Sequence, residues 1–181
     1  MGNIITLYHG SIYEFDKIDV NQGKPFKDFG IGFYTSQEES HAVRLALRNK
    51  HIEERRLSKY GKPKTVTPWL YTYEFDLQEM DRLKAKEFAT ADREWVEFIV
   101  QNRLSSNREH DYDVIVGPTA NDNTNATIDL FMIGTYGDSK SDFAINTFLE
   151  LILPEVLPRQ MYFGTDKAAS LLKQKGRRKV W

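Results

Sequence analysis

The stretch WLYTYEFDL, residues 69–77, sets the tightest limit on what this chain can fold into. Tyr71, Tyr73, Phe75 and Leu77 alternate with Thr72, Glu74 and Asp76. A two-residue period is the pattern of a strand with one buried face, because successive side chains point to opposite sides of a sheet. The chain must therefore build a sheet and cover its aromatic face with a second layer. The other segments do not follow it in regular strand and helix alternation. A doubly wound parallel sheet fits this order poorly, and the expected class is α+β.

Around that strand the periodicities predict a first strand from Ile4 to Tyr8, running into a tight turn at His9-Gly10-Ser11. An extended FGIGFYT piece follows. Ser36 and Glu39 have capping-box spacing, so a helix is expected from SQEESHAVRLALRNKHIEERRL. Asp92 caps a helix carrying Trp95, Phe98, Ile99 and Asn102, and YDVIVGP reads as a short buried strand stopped at Gly117-Pro118. TANDNTNATID reads as a polar turn region. SDFAINTFLELIL reads as a buried helix presenting Phe143, Ile145, Phe148, Leu149 and Ile152, RQMYF as a last strand, and TDKAASLLKQK as a last helix capped by Thr165.

With 181 residues, no internal repeat and no Pro/Gly linker, the chain reads as a single domain over 1–181. The absence of cysteine excludes disulfides and thiolate metal sites, and a reducing, cytoplasmic setting is expected. No segment approaches the roughly 18 apolar residues of a membrane span. Balanced charges, 25 basic against 26 acidic, give no global field toward nucleic acid. The basic tail KQKGRRKVW reads as a solvated helix end. His41 reads as a surface residue of its helix, and His51 and His110 fall in charged segments. No ligand spacing suggests a metal. Arg103 reads as a helix-end residue that caps carbonyls or forms an ion pair rather than one that grips pyrophosphate.

Five short motifs then occur in series: LYHGS, DFGIGFYTS, EWVEFIVQNR, YDVIVGPTAND and RQMYFGT. In this order they resemble the ADP-ribosyltransferase superfamily, in the group marked by His, Tyr and usually Glu, and more closely a little-characterised bacterial branch (DUF3990-like). The resemblance implies a split β-sandwich with flanking helices that holds NAD in a central cleft. It implies that His9 bonds a ribose hydroxyl, that the Gly10 backbone holds the nicotinamide carboxamide, and that Tyr34 stacks on the nicotinamide ring. Ser11, Gly32 and Phe33 complete the expected NAD-binding set. Gln160 stands where many relatives carry the glutamate. A neutral amide orients a ribose but stabilises oxocarbenium-like charge less well than a carboxylate. Asp122 is then the first candidate for a catalytic acid, ahead of Glu94 and Glu97; its other reading is an Asx turn.

The implied activity is mono-ADP-ribosyl transfer from NAD to a macromolecule, as in bacterial toxins or effectors delivered to a target cell and neutralised by a cognate antitoxin. A protein acceptor is preferred to a nucleic acid. The alternatives are a weakly active or inactive module that binds NAD or ADP-ribose, and a partner-binding domain without a nucleotide.

Overall fold

In the computed structural model, which describes residues 3–119, 122–152 and 157–181, the chain runs through β1 (Ile4–Ser11), β2 (Phe33–Thr35), α1 (Glu39–Lys59) and β3 (Trp69–Asp76). It continues through β4 (Ala85–Glu87), α2 (Arg93–Arg103), β5 (Val114–Pro118), α3 (Asp122–Met132) and α4 (Asp142–Ile152). The last elements are β6 (Arg159–Phe163), α5 (Asp166–Ala169) and β7 (Lys173–Lys179). One sheet has the order β1-β3-β7 and the other β2-β6-β5-β4. The β4–β5 pair is parallel; the remaining ladders are antiparallel.

The predicted alternation of β3 is the centre of this α+β architecture. Tyr71, Tyr73 and Phe75 point inward at 0–1% exposure. They meet Leu7 from their own sheet and Phe33, Val114, Met161 and Phe163 from the other. The outer face of the second sheet is covered by Trp95 and Ile99 of α2, Ile128 and Phe131 of α3, and Ile145 and Phe148 of α4. Ala42 and Ala46 of α1 close the outer face of the first sheet against Leu70. Each apolar face thus has a partner, which the hydrophobic effect requires of a layered fold. Asp92 caps α2 as expected, accepting from the Trp95 amide at 3.0 Å.

Five expectations are corrected. His9, Gly10 and Ser11 do not turn; they extend β1 and pair with Tyr71, Leu70 and Trp69. The Ser36–Glu39 capping box does not form, and α1 starts at Glu39 behind Glu38. Ser36 is held instead in a bridge with Tyr8, its hydroxyl accepting from the Glu38 amide at 3.1 Å. The segment expected as a polar turn enters α3, because Ile128 and Phe131 find a buried partner in α4. Phe143, at 75% exposure, faces away from that contact.

The fifth correction is the basic tail. The last helix is only the short α5, and KQKGRRK is strand β7 on the edge of β3. Ion pairs to acidic neighbours hold it, Arg177 with Glu14 at 2.9 Å and Asp16 at 2.5 Å, and Arg178 with Glu39 at 2.5 Å. The ladder to β3 overrides helical propensity here, as tertiary context commonly does.

Candidate functional site

The two sheets touch at a seam and then part. Tyr8 and Ser36 exchange backbone hydrogen bonds of 2.8 and 2.9 Å, stitching β1 to the residue after β2. One step along, the His9 imidazole takes over, its Nδ1 lying 2.7 Å from the Tyr34 carbonyl oxygen. A side chain thus replaces a ladder bond, and beside it lies a cavity of about 400 Å³. Small-ligand sites commonly fall between about 300 and 1,000 Å³.

His9, Gly10, Ser11, Gly32, Tyr34 and Gln160 all line this cavity. They come to it from different faces. His9 lies on the inter-sheet side, stacked on Phe33 with ring centroids 4.2 Å apart. Phe33 is itself packed in the inter-sheet core and is not part of the wall, a correction to the expected set. Alternation turns Tyr34 to the opposite side, edge-on to Tyr162 at 5.1 Å. Gln160, two residues before Tyr162 on β6, shares that side. Gly10 faces α1, and a Cβ there would lie 2.0 Å from the Ala42 carbonyl oxygen. Glycine is needed at this position so that helix and strand can approach.

The electrostatics are those of a neutral floor. Because a carbonyl accepts from His9 Nδ1, the proton sits there and Nε2 keeps a lone pair. Burial pushes the imidazole down to about 4, the hydrogen bond to Tyr34 only partly opposing it. The Tyr34 hydroxyl donates to the Gly30 carbonyl at 2.7 Å and accepts from the Phe29 amide at 3.1 Å. Burial raises its pKa well above the ordinary phenol value, so the ring is locked and uncharged. Gly30 has φ of 77°, a left-handed conformation that suits glycine and shapes the loop receiving that hydroxyl.

One wall of the cavity is an ion-pair network. Asp28 accepts from Arg103 Nε at 2.6 Å and from the Thr119 hydroxyl at 2.9 Å. Arg103 also donates to Asn125 Oδ1 at 2.7 Å. The side chains of Arg103 and Asp28 are 13% and 5% exposed. The ion-pair reading of Arg103 therefore holds, and its partner Asp28 opens the DFGIGFYTS motif without having been assigned a role. Glu94 and Glu97 lie elsewhere, exposed and engaged with Lys86 and Arg93. Asp122 opens α3, and its side chain lies outside the described residues.

Sequence reasoning missed two further features. His41 is 7% exposed and lines the cavity, contrary to the surface position expected of it. The signal was present: His41, Leu45, Arg48 and Ile52 recur at helical spacing on one face of α1, and all four line the cavity. The second feature is a set of cations, Lys24, Lys27, Arg48 and Arg103. Desolvation lowers the Lys27 ammonium, and Lys24, Arg103 and Arg48 add to that by like-charge repulsion while Asp28 opposes it. Among the described residues no group of three His, Asp or Glu side chains is placed to hold a metal. No helix among them is long and apolar enough to cross a membrane.

No curated protein and no solved structure matches the chain. Residues 5–174 match a family described as "Protein of unknown function (DUF3990)". That match takes in β1, the seam, the cavity wall and β6, and the chain belongs to the DUF3990 family.

Proposed function

We propose that the chain is an NAD-dependent mono-ADP-ribosyltransferase that modifies a macromolecule, in the manner of a bacterial toxin or effector. The observation that carries this reading is the convergence of His9, Tyr34 and Gln160, distant in sequence, on one cavity. The residues present fit NAD. His9 Nε2, a neutral acceptor, suits a ribose hydroxyl. The Tyr34 ring, fixed through its hydroxyl, suits the flat cationic nicotinamide, with cation–π attraction of about 2 kcal/mol when desolvated. The cations Lys24, Lys27 and Arg48 would face the diphosphate.

In the reaction so assigned, the bond between nicotinamide nitrogen and C1″ breaks and its electron pair leaves with nicotinamide. An acceptor oxygen or nitrogen then bonds C1″ and releases its proton. The protein's part is to bind, orient and exclude water while positive charge develops on the ribose. A protein acceptor remains preferred, since the basic tail is engaged with Glu14, Asp16, Glu39 and Glu74 rather than gathered for a phosphate backbone.

The same cavity supports a second reading, a module that binds NAD or ADP-ribose without turnover. Among the described residues the carboxylate in the wall is Asp28, already engaged by Arg103 and Thr119. Gln160 supplies no charge. Incubation with NAD labelled in the adenylate half separates the two readings. Label on macromolecules together with nicotinamide release supports the transferase, and loss of both in Tyr34→Ala ties them to this cavity. Saturable binding with no nicotinamide release, turned into turnover by Gln160→Glu, supports the module. No binding at millimolar NAD overturns both.

A further inference from the structure

A second pocket, of about 660 Å³, lies between the segment after β1 and the corner from α5 into β7. It shares no lining residue with the cavity at the seam. Its floor is buried and mostly apolar, formed by Ala169, Leu172 and Tyr73. Tyr73 is 1% exposed, and among the described residues its hydroxyl has no hydrogen-bond partner. Burial raises this phenol above its ordinary value, so it is neutral near pH 7. A buried hydroxyl with nothing to bond carries a standing energetic cost, which a ligand can relieve.

The packing of β3 shows where that hydroxyl points. Tyr71 and Tyr73 project from the same side of the strand, with rings 14° from parallel and centroids 6.4 Å apart. The Tyr71 hydroxyl reaches the segment after β1, donating to the Tyr13 carbonyl at 3.2 Å and accepting from the Phe15 amide at 2.8 Å. The parallel ring of Tyr73 reaches the next residues of that segment, and Asp16, Lys17, Ile18 and Asp19 line the pocket with it. Phe33 packs against the body of the ring in a T-shaped contact at 5.7 Å. The phenol end is therefore what the floor presents.

The rim decides the charge of what can enter. Arg177 neutralises Asp16 at 2.5 Å. Asp19 accepts from the Asn21 amide at 3.0 Å and keeps its charge, and Asp166 makes no hydrogen bond or ion pair among the described residues. Against these two carboxylates stands one ammonium, Lys17, which leaves the rim net negative. Asp19, Asp166 and Gln174 are exposed, so they can part to admit a ligand while Tyr73 stays fixed. A neutral oxygen at the floor accepts from an N–H donor, Leu172 and Ala169 suit a hydrocarbon stem, and the rim repels anions. A cation on an aliphatic stem meets all three demands.

We infer that this second pocket is a binding site for an aliphatic cation, a guanidinium or ammonium on a hydrocarbon stem, with Tyr73 as its hydrogen-bond acceptor. The site goes beyond the proposed function and makes no use of NAD. Calorimetric titration of the full chain with butylguanidinium tests it, with butylurea as the uncharged mimic of the same shape. The cation should bind about fivefold tighter than butylurea, the scale of an exposed charge interaction. Tyr73→Phe keeps the ring and removes only the hydroxyl. It should weaken butylguanidinium about tenfold, the scale of one hydrogen bond to a charged group, without lowering the melting temperature. With ring-labelled tyrosine, the cation should shift the signals of Tyr73 and leave those of Tyr34, in the other cavity, in place.

A capped tripeptide with one central arginine separates the two sources of such a group. Tighter binding than butylguanidinium assigns the pocket to a basic side chain of a protein partner, and weaker binding to a free small cation. Equal affinity for butylguanidinium and butylurea overturns the inference. So does equal affinity in the parent and in a folded Tyr73→Phe, or no binding at millimolar concentration. Each of these failures leaves the proposed function standing, and a parent that does not bind NAD leaves this site standing.

Discussion

The cavity has two walls that treat buried polar groups in opposite ways. On one, Asp28, Arg103, Thr119 and Asn125 satisfy one another through bonds of 2.6–2.9 Å. On the other, among the described residues, His41 Nδ1 is buried without a hydrogen-bond partner, the Gln160 amide makes no hydrogen bond, and His9 is held neutral. Satisfied buried charges are rigid and costly to break, whereas unmatched donors and acceptors cost stability until something fills them. The first wall is closed by its own hydrogen bonds and the second is not.

The largest test of the contrast is Arg103→Leu. It leaves the Asp28 carboxylate buried without its cation, and the expected loss, measured by urea unfolding, is about 3–5 kcal/mol. A loss near zero would put the network on the surface in solution and erase the distinction.

Next comes acidification. Above the ordinary imidazole value of 6.5, His9 is neutral in the folded and unfolded chain, and stability is full. Between 6.5 and about 4 the unfolded chain takes up the proton and the folded one does not, so stability falls as pH falls. Across that window the loss approaches about 3 kcal/mol at 1.36 kcal/mol per pH unit. His41 and His110, also lowered by desolvation, push the same way. The informative quantity is therefore the flattening of the profile in His9→Phe.

A smaller effect is expected of Tyr34→Phe, which keeps the ring and removes the hydroxyl between Gly30 and Phe29. Stability should drop by about 1–2 kcal/mol while NAD affinity stays close to the parent's, because the proposed contact is the ring face. The smallest is His41→Leu, which removes an orphaned nitrogen from an apolar surround. It should leave stability unchanged or raise it by about 1 kcal/mol. A variant that lost stability would place His41 with the structural wall.

Much of the frame was legible because it follows from period alone. WLYTYEFDL could bury its aromatics only as a strand, and Asp92 could cap α2 from its own position. Where chain pairing decides, the sequence was ambiguous. LYHGS contains glycine and serine, ordinary turn residues, yet Gly10 is there to let α1 approach a strand. KQKGRRK has no strand pattern, and only the open edge of β3 and the acids around it make it one. The polar TANDNTNATID was read by composition and not by its Ile128, which α4 buries. The lining of the cavity was legible where the motifs reached, at His9, Tyr34 and Gln160, and illegible where it depends on which face of a helix is turned inward, as with His41.

The ladder between β3 and β7 has a practical side for anyone expressing this domain. Sequence similarity to the family stops at residue 174, but Arg177, Arg178 and Lys179 are still paired with Tyr71, Leu70 and Trp69. Those three residues are in turn the neighbours of His9, Gly10 and Ser11. A fragment trimmed at the similarity boundary would strip the outer support from the strand behind the cavity and leave bare peptide groups open to intermolecular association. A useful truncation should keep the chain through Lys179.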